Sequence, residues 1–144
     1  MDLTIFVPIK PRPASRPRTT IRNGRVWTYP VNPYKDYKKG LEKLLPTIVG
    51  SDFVPLEIPL CVMCDFVVER PKTTKLSMPG PDIDNYEKAL YDAGNGILWA
   101  DDKLIGLNCN RKRWTLPGES EGVWIRFCDL EKAEVSLEFE GDSS

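Results

Sequence analysis

Four aspartates stand in two close pairs within "PGPDIDNYEKALYDAGNGILWADDK": Asp82 with Asp84, and Asp101 with Asp102. In an extended segment, alternate positions project to one side, so the first pair can present both carboxylates together. The residues between the pairs read as one short helix, which at about ten residues spans about 15 Å. The two pairs can meet only if "ILW", residues 97–99, folds back antiparallel along that helix. Three or four carboxylates within a few ångströms repel one another and favour protonation. A hard divalent cation bound by oxygen relieves that repulsion, and Mg²⁺ is the ion of choice. It can act as a Lewis acid on a phosphodiester and activate water. Lys88, one turn after Asp84 on the same helical face, can neutralise charge that develops during such a reaction. A plainer reading is open beside this one. Asp84 can cap the helix, with Glu87 completing a capping box, while Asp82 and the Asp101-Asp102 pair serve as turn residues. Lys88 is then a solvated side chain paired with Asp84 or Asp92.

The rest of the composition narrows the chemistry. The 144 residues include no histidine, which excludes Ser-His-Asp and Cys-His catalysis and histidine-ligated zinc hydrolysis. Cys61 and Cys64 form a CxxC within the strand-like "IPLCVMCDFVV", where a spacing of three sends the side chains to opposite faces, so buried thiols are expected and not zinc. Between Leu3 and Lys35 there are seven basic residues and no acidic one, whereas from Glu119 onward there are eight acidic and two basic residues. A basic segment of this kind suits a polyanion, although charges balanced in three dimensions would give the same count. No apolar run is long enough to span a bilayer and no signal-like segment precedes the first strand, so a cytoplasmic protein with no membrane partner is expected.

Hydrophobic periodicity supplies the elements that must position the aspartates. Leu3, Ile5 and Val7 alternate in a first strand that Pro8 stops. A basic Pro/Arg-rich arm, residues 8–32, follows, with prolines opposing regular structure and Asn23-Gly24 predicting a hairpin turn. Tyr34, Tyr37, Leu41, Leu44 and Leu45 fall at helical spacing behind Asn32 and Pro33, with Gly40 weakening the helix and Pro46 ending or kinking it. Residues 56–70 read as a central strand, followed by a loop of about a dozen residues. Tyr86, Ala89, Leu90 and Ala93 form the apolar face of the second helix. "LIGLNCNRKRW" reads as a strand, and "GVWIRF" with "AEVSLEF" as a C-terminal hairpin, leaving 128–144 as an acidic strand and tail. The predicted fold is α+β, a mixed β-sheet with two main helices packed on it, in a single domain over 1–144.

Taken together, "PDIDNYEKALYDAGNGILWADDKLI" resembles the central segment of the RusA family of Holliday junction resolvases, whose signature is D-x-D-N-x-x-K-A-x-x-D followed by a linker ending in D-D. Asp82, Asp84, Asn85, Lys88, Ala89, Asp92, Asp101 and Asp102 occupy those positions. "PIKPRPASRPRTTIRNGRVWTYP" with "YKDYKK" is similar to the family's N-terminal arm, and the resemblance covers most of residues 1–127. It implies a Mg²⁺-dependent endodeoxyribonuclease, with Mn²⁺ able to substitute and no small-molecule cofactor. The enzyme would act as a homodimer that nicks two strands of a four-way DNA junction in recombination and repair, in a bacterial host and encoded by phage or prophage. It also implies Asp82, Asp84 and Asp102 as catalytic metal ligands, with Asp101 beside the last, Lys88 as supporting cation and Asn85 orienting a carboxylate or water. Pro-Gly-Pro stands where some members have an arginine run, and the tail is acidic. On physical grounds Lys10, Arg12, Arg16, Arg18 and Arg25 of the arm, with Arg70, Lys72, Lys75, Arg111, Lys112 and Arg113, are candidate contacts to DNA phosphates. Trp27, Tyr29 and Tyr34 can stack on unpaired bases, or, for Tyr34 and Tyr37, pack in the core. Two rival functions remain: a non-catalytic protein that binds junctions or branches, and a glycosyltransferase whose DxD holds a nucleotide sugar. The missing nucleotide-binding βαβ unit opposes the second.

Overall fold

The computed structural model describes residues 1–14, 18–29 and 32–133. Arg16 and most of the predicted C-terminal strand, residues 134–139, lie outside them. Strand β1 (Asp2–Val7) turns Ile5 and Val7 inward by simple alternation and stops before Pro8. Strands β2 (Arg18–Arg22) and β3 (Arg25–Tyr29) then pair as an antiparallel hairpin. Its two-residue turn is Asn23-Gly24, with φ of 51° and 73°, the left-handed pair whose twist matches the flanking strands. The arm is thus a strand pair over 18–29, where the prolines alone suggested irregular chain.

Helix α1 (Asn32–Val49) buries Tyr37, Leu41 and Leu45. It runs through Pro46, correcting the expectation that the helix could end there. Pro46 is exposed, so the carbonyl deprived of a helical partner falls on the solvent side. Gly40 marks a close crossing, since a Cβ there would lie 2.8 Å from Ile9 Cδ1. Tyr37 is a core residue at 3% exposure, and its hydroxyl has no hydrogen-bond partner among the described residues. Tyr34 is half-buried against the same core.

Strands β4 (Leu60–Val68), β5 (Ile105–Trp114) and β6 (Gly122–Asp129) join β1 in a mixed sheet of order β1-β6-β4-β5. β4 and β5 are parallel and are linked through helix α2 (Ile83–Gly94), as a parallel pair requires a crossover; the remaining pairings are antiparallel. Leu60, Val62, Cys64, Phe66 and Val68 face the helices together with Val123, Ile125 and Phe127, and α2 completes this core with Tyr86, Ala89, Leu90 and Ala93. The Phe66 and Tyr86 rings stack at 5.3 Å. Cys61 points to the opposite face from Cys64, as the CxxC spacing predicts, and all four cysteines are free. β1 and β4 occupy the two edges of β6, and the second strand of the expected C-terminal hairpin lies outside the described residues. The architecture is the predicted α+β fold, with two helices over one face of a mixed sheet.

Candidate active site along helix α2

Helix α2 begins two residues earlier than the capping-box reading places it. Its N-cap is Asp82, whose side chain makes no capping hydrogen bond, and the backbone N–H groups of Asn85 and Tyr86 donate to the Asp82 carbonyl instead. Glu87 is not part of a capping box either, because its carboxylate accepts from Asn110 Nδ2 at 2.9 Å. Both Asp82 and Asp84 are therefore exposed carboxylates at the positive end of a helix, and among the described residues no side-chain hydrogen bond holds either of them. The basic arm comes to this end: the Ala14 N–H donates to the Asn85 carbonyl at 2.8 Å, and the charge of Arg12 acts on Tyr86. Lys112 reaches the same end from β5, donating to the Pro81 carbonyl at 2.8 Å.

The second acidic pair sits at the other end. Residues 95–99 do not fold back along α2; they close a tight turn under it, with the N–H groups of Ile97 and Leu98 donating to Gly94 and that of Gly96 to Trp99. Trp99 enters the core beneath Gly94, where a Cβ would meet its indole at 2.8 Å, and its Nε1 donates to the Tyr91 carbonyl. The return along the helix is made by β5, which passes Tyr91 at Asn108 and reaches Pro81 at Lys112. Asp101 and Asp102 precede that return, with Asp102 beside Asp92. Asp101 accepts from the Lys103 N–H at 2.9 Å, capping the short 3-10 turn Asp102–Leu104, and this bond is the main cause that lowers its pKa. The Asp102 carboxyl is raised, first by burial and then by its hydrogen bond with Asp101 and the charges of Asp101 and Asp92. Among the described residues, no three Asp, Glu or Cys side chains gather so as to hold a metal ion. The expectation that one chain brings both pairs to a single ion is thereby corrected, because "ILW" is consumed in core packing and the turn.

Between the two ends lies a polar seam that the aspartate motif did not reveal. Asn110 accepts from the Cys64 N–H with Oδ1 at 2.8 Å and donates through Nδ2 to Glu87 and to Tyr91 Oη, tying β4, β5 and α2 together. Asn108 also donates to Tyr91 Oη, at 3.1 Å. Burial is the main cause that pushes the Tyr91 phenol up to about 12. The signal in the sequence was a parity break, since Asn108, Asn110 and Lys112 occupy the helix-facing positions of a strand where β4 has only apolar residues and cysteine. Lys88 is exposed on this side of α2, and among the described residues it joins no ion pair.

The candidate phosphate contacts divide by location. Lys10, Arg12 and Arg25 are exposed on the arm, as are Arg70, Lys72 and Lys75 in the loop after β4. Arg18 opens β2. Arg111 and Arg113 lie on the sheet face away from the helices and share Asp65, while Arg113 also pairs with Glu119 at 2.6 Å. The Arg113 guanidinium is the main cause that holds the Glu119 carboxyl down at about 2. Arg113 thus works as a strut between strand and loop. Among the described residues, Lys10, Arg12 and Arg25 of the arm, Arg70, Lys72 and Lys75 of the loop, and Lys112 join no ion pair.

The α+β domain sets exposed carboxylates at the start of α2 beside a cationic arm. The sequence model of the family described as Endodeoxyribonuclease RusA matches residues 8–120, from the arm through α2 and β5. The chain belongs to the RusA endodeoxyribonuclease family. No curated protein matches it.

Proposed function

We propose that this protein is a Mg²⁺-dependent, structure-selective endonuclease that resolves Holliday junctions and other branched DNA by paired phosphodiester hydrolysis, as a homodimer serving recombination and repair. The phage or prophage origin and cytoplasmic setting implied by the resemblance belong to the same reading. The observation that carries it is the freedom of Asp82 and Asp84: neither carboxylate is engaged in capping, and the basic arm is hydrogen-bonded beside them. The donor set is all oxygen, which suits Mg²⁺, with Mn²⁺ able to substitute. One chain keeps its two acidic groups at opposite ends of a twelve-residue helix, so the homodimer has a second role in this reading. Asp82 and Asp84 of one protomer and Asp102 of its partner, with Asp101 beside it, would hold the ion together. When bound, Mg²⁺ supplies a Lewis acid and a water of lowered pKa. The chain's own part is to dock backbone phosphates on the arm, to fix the scissile group beside α2, between its acidic ends, and to place the Lys88 ammonium where negative charge grows.

A non-catalytic, junction-binding role is the second reading, favoured by the separation of the two acidic groups within one chain. Nicking of a synthetic four-way junction, measured in Mg²⁺ and in EDTA, decides between them. Symmetric nicks in Mg²⁺ and none in EDTA are expected. Binding without nicks, in Mg²⁺ or Mn²⁺ at any enzyme excess, removes the enzyme. In the same assay Lys88→Ala slows single-turnover cleavage by about a hundredfold while junction affinity falls by no more than a few-fold. A loss of rate proportional to the loss of affinity would assign Lys88 to binding alone.

A further inference from the structure

The phenol of Tyr91 is held in an unusual electronic arrangement by its neighbours. The orientation of the Asn110 amide follows from the Cys64 backbone N–H, which needs an acceptor and finds Oδ1 at 2.8 Å. The Nδ2 side must then face α2, where its two protons go to Glu87 Oε1 at 2.9 Å and Tyr91 Oη at 2.8 Å. Asn108 Nδ2 fills the second acceptor site of the same oxygen at 3.1 Å. A phenol has two acceptor lone pairs and one proton to donate. With both lone pairs taken by amides, the O–H is a committed donor, and among the described residues no acceptor takes it. The ring itself is fixed edge-on against Trp99, at a centroid distance of 5.9 Å and 83° between planes. Tyr91 follows Lys88 by three positions, so the two stand on one face of α2, between its acidic ends.

We infer that Tyr91 donates its phenolic hydrogen bond to a non-bridging oxygen of the DNA phosphate that undergoes cleavage, and so is a substrate-contacting residue additional to the aspartates and Lys88. This rests on the nuclease reading above. The two amides preorganise the donor, since rotating the O–H elsewhere would cost a hydrogen bond to Asn108 or Asn110. Burial, the chief cause of its raised pKa, keeps the phenol protonated across the range in which a nuclease works. A phosphate oxygen carries the formal negative charge that makes such a bond strong.

The test uses full-length protein and four-way junctions carrying a single phosphorothioate of known configuration at the scissile position. In the wild type, one diastereomer is expected to be cleaved slowly in a way that replacing Mg²⁺ by thiophilic Mn²⁺ does not relieve, because sulfur accepts a hydrogen bond poorly. Tyr91→Phe is expected to cleave the all-oxygen junction about tenfold or more slowly, with junction affinity within about twofold, and to lose that Mn²⁺-insensitive penalty. A Tyr91→Phe protein that cleaves at the wild-type rate, or that keeps the penalty, overturns the assignment. Should Tyr91→Phe not fold, the wild type alone decides: a Mn²⁺-insensitive penalty confined to one diastereomer supports the contact, and equal behaviour of the two overturns it. A wild type that cleaves no junction at all refutes the nuclease reading instead, which separates the two failures.

Discussion

Asp82→Asn and Asp102→Asn each reduce junction cleavage by roughly two to three orders of magnitude and leave junction affinity equal to or above that of the wild type. Both carboxylates are exposed to some degree and neither belongs to an ion pair among the described residues, so their charge is unspent within the chain. A carboxylate facing a phosphate without a cation between them repels it, and an amide does not. Asparagine keeps the shape, removes the charge and weakens the hold on a hard cation. Gel-shift and single-turnover measurements on the same junction separate the two effects, and weakened binding in both variants would mean that these residues shape the fold.

Asp102 adds a second readout. Its folded-state pKa is raised, so the native state binds a proton more readily than the unfolded chain. Above the folded pKa the ionised group costs stability, and below the ordinary carboxylate range the cost is gone. Asp102→Asn should therefore melt above the wild type at about neutral pH, with the gain disappearing toward about pH 3. The pair Asp101 and Asp102 is strained electrostatically in the way a cation site is, and the same substitution that stabilises should inactivate.

Trp99→Ala is expected to have the largest effect on stability. The side chain is fully buried and meets Tyr91 and Phe127 edge-on at 5.9 and 6.1 Å. Removing a buried tryptophan costs about 3–5 kcal/mol, against a total of roughly 5–15 kcal/mol for a domain. A fall in melting temperature of about 10–20 °C follows for a chain of this size. The consequence reaches function, because the Trp99 turn sets Asp102 beside Asp92 and launches β5 back along α2. Calorimetry reads the first effect. Cleavage assayed well below the lowered melting temperature reads the second, and full activity there would show that the turn does not position the acidic pair.

The features governed by short-range interactions were legible in the sequence. Asn23-Gly24 gave its hairpin because only such residues adopt left-handed φ without strain. Tyr37, Leu41 and Leu45 gave α1, and the long apolar, β-branched run within residues 56–70 gave the central strand. The aspartates and Lys88 were visible as a motif, yet their spatial relation was not. Whether Glu87 caps its own helix or bonds to Asn110 depends on a partner 23 residues away, and the Asn110 bond to Cys64 spans 46. Nothing local announces such pairings. Pro46 misled for a similar reason, since a proline's cost to a helix depends on which side of it meets water.

The claim that the two acidic groups of α2 complete one another across a dimer is tested most directly by mixing. Asp82→Asn and Asp102→Asn proteins, each inactive alone, are unfolded together, refolded and assayed on a four-way junction in Mg²⁺. In a shared site, one of the two positions in each mixed dimer receives both substitutions and the other receives neither. Single-strand nicking is expected to return, at about a quarter of the wild-type concentration of intact sites. A refolded mixture that contains mixed dimers and is as inactive as either parent would contradict it.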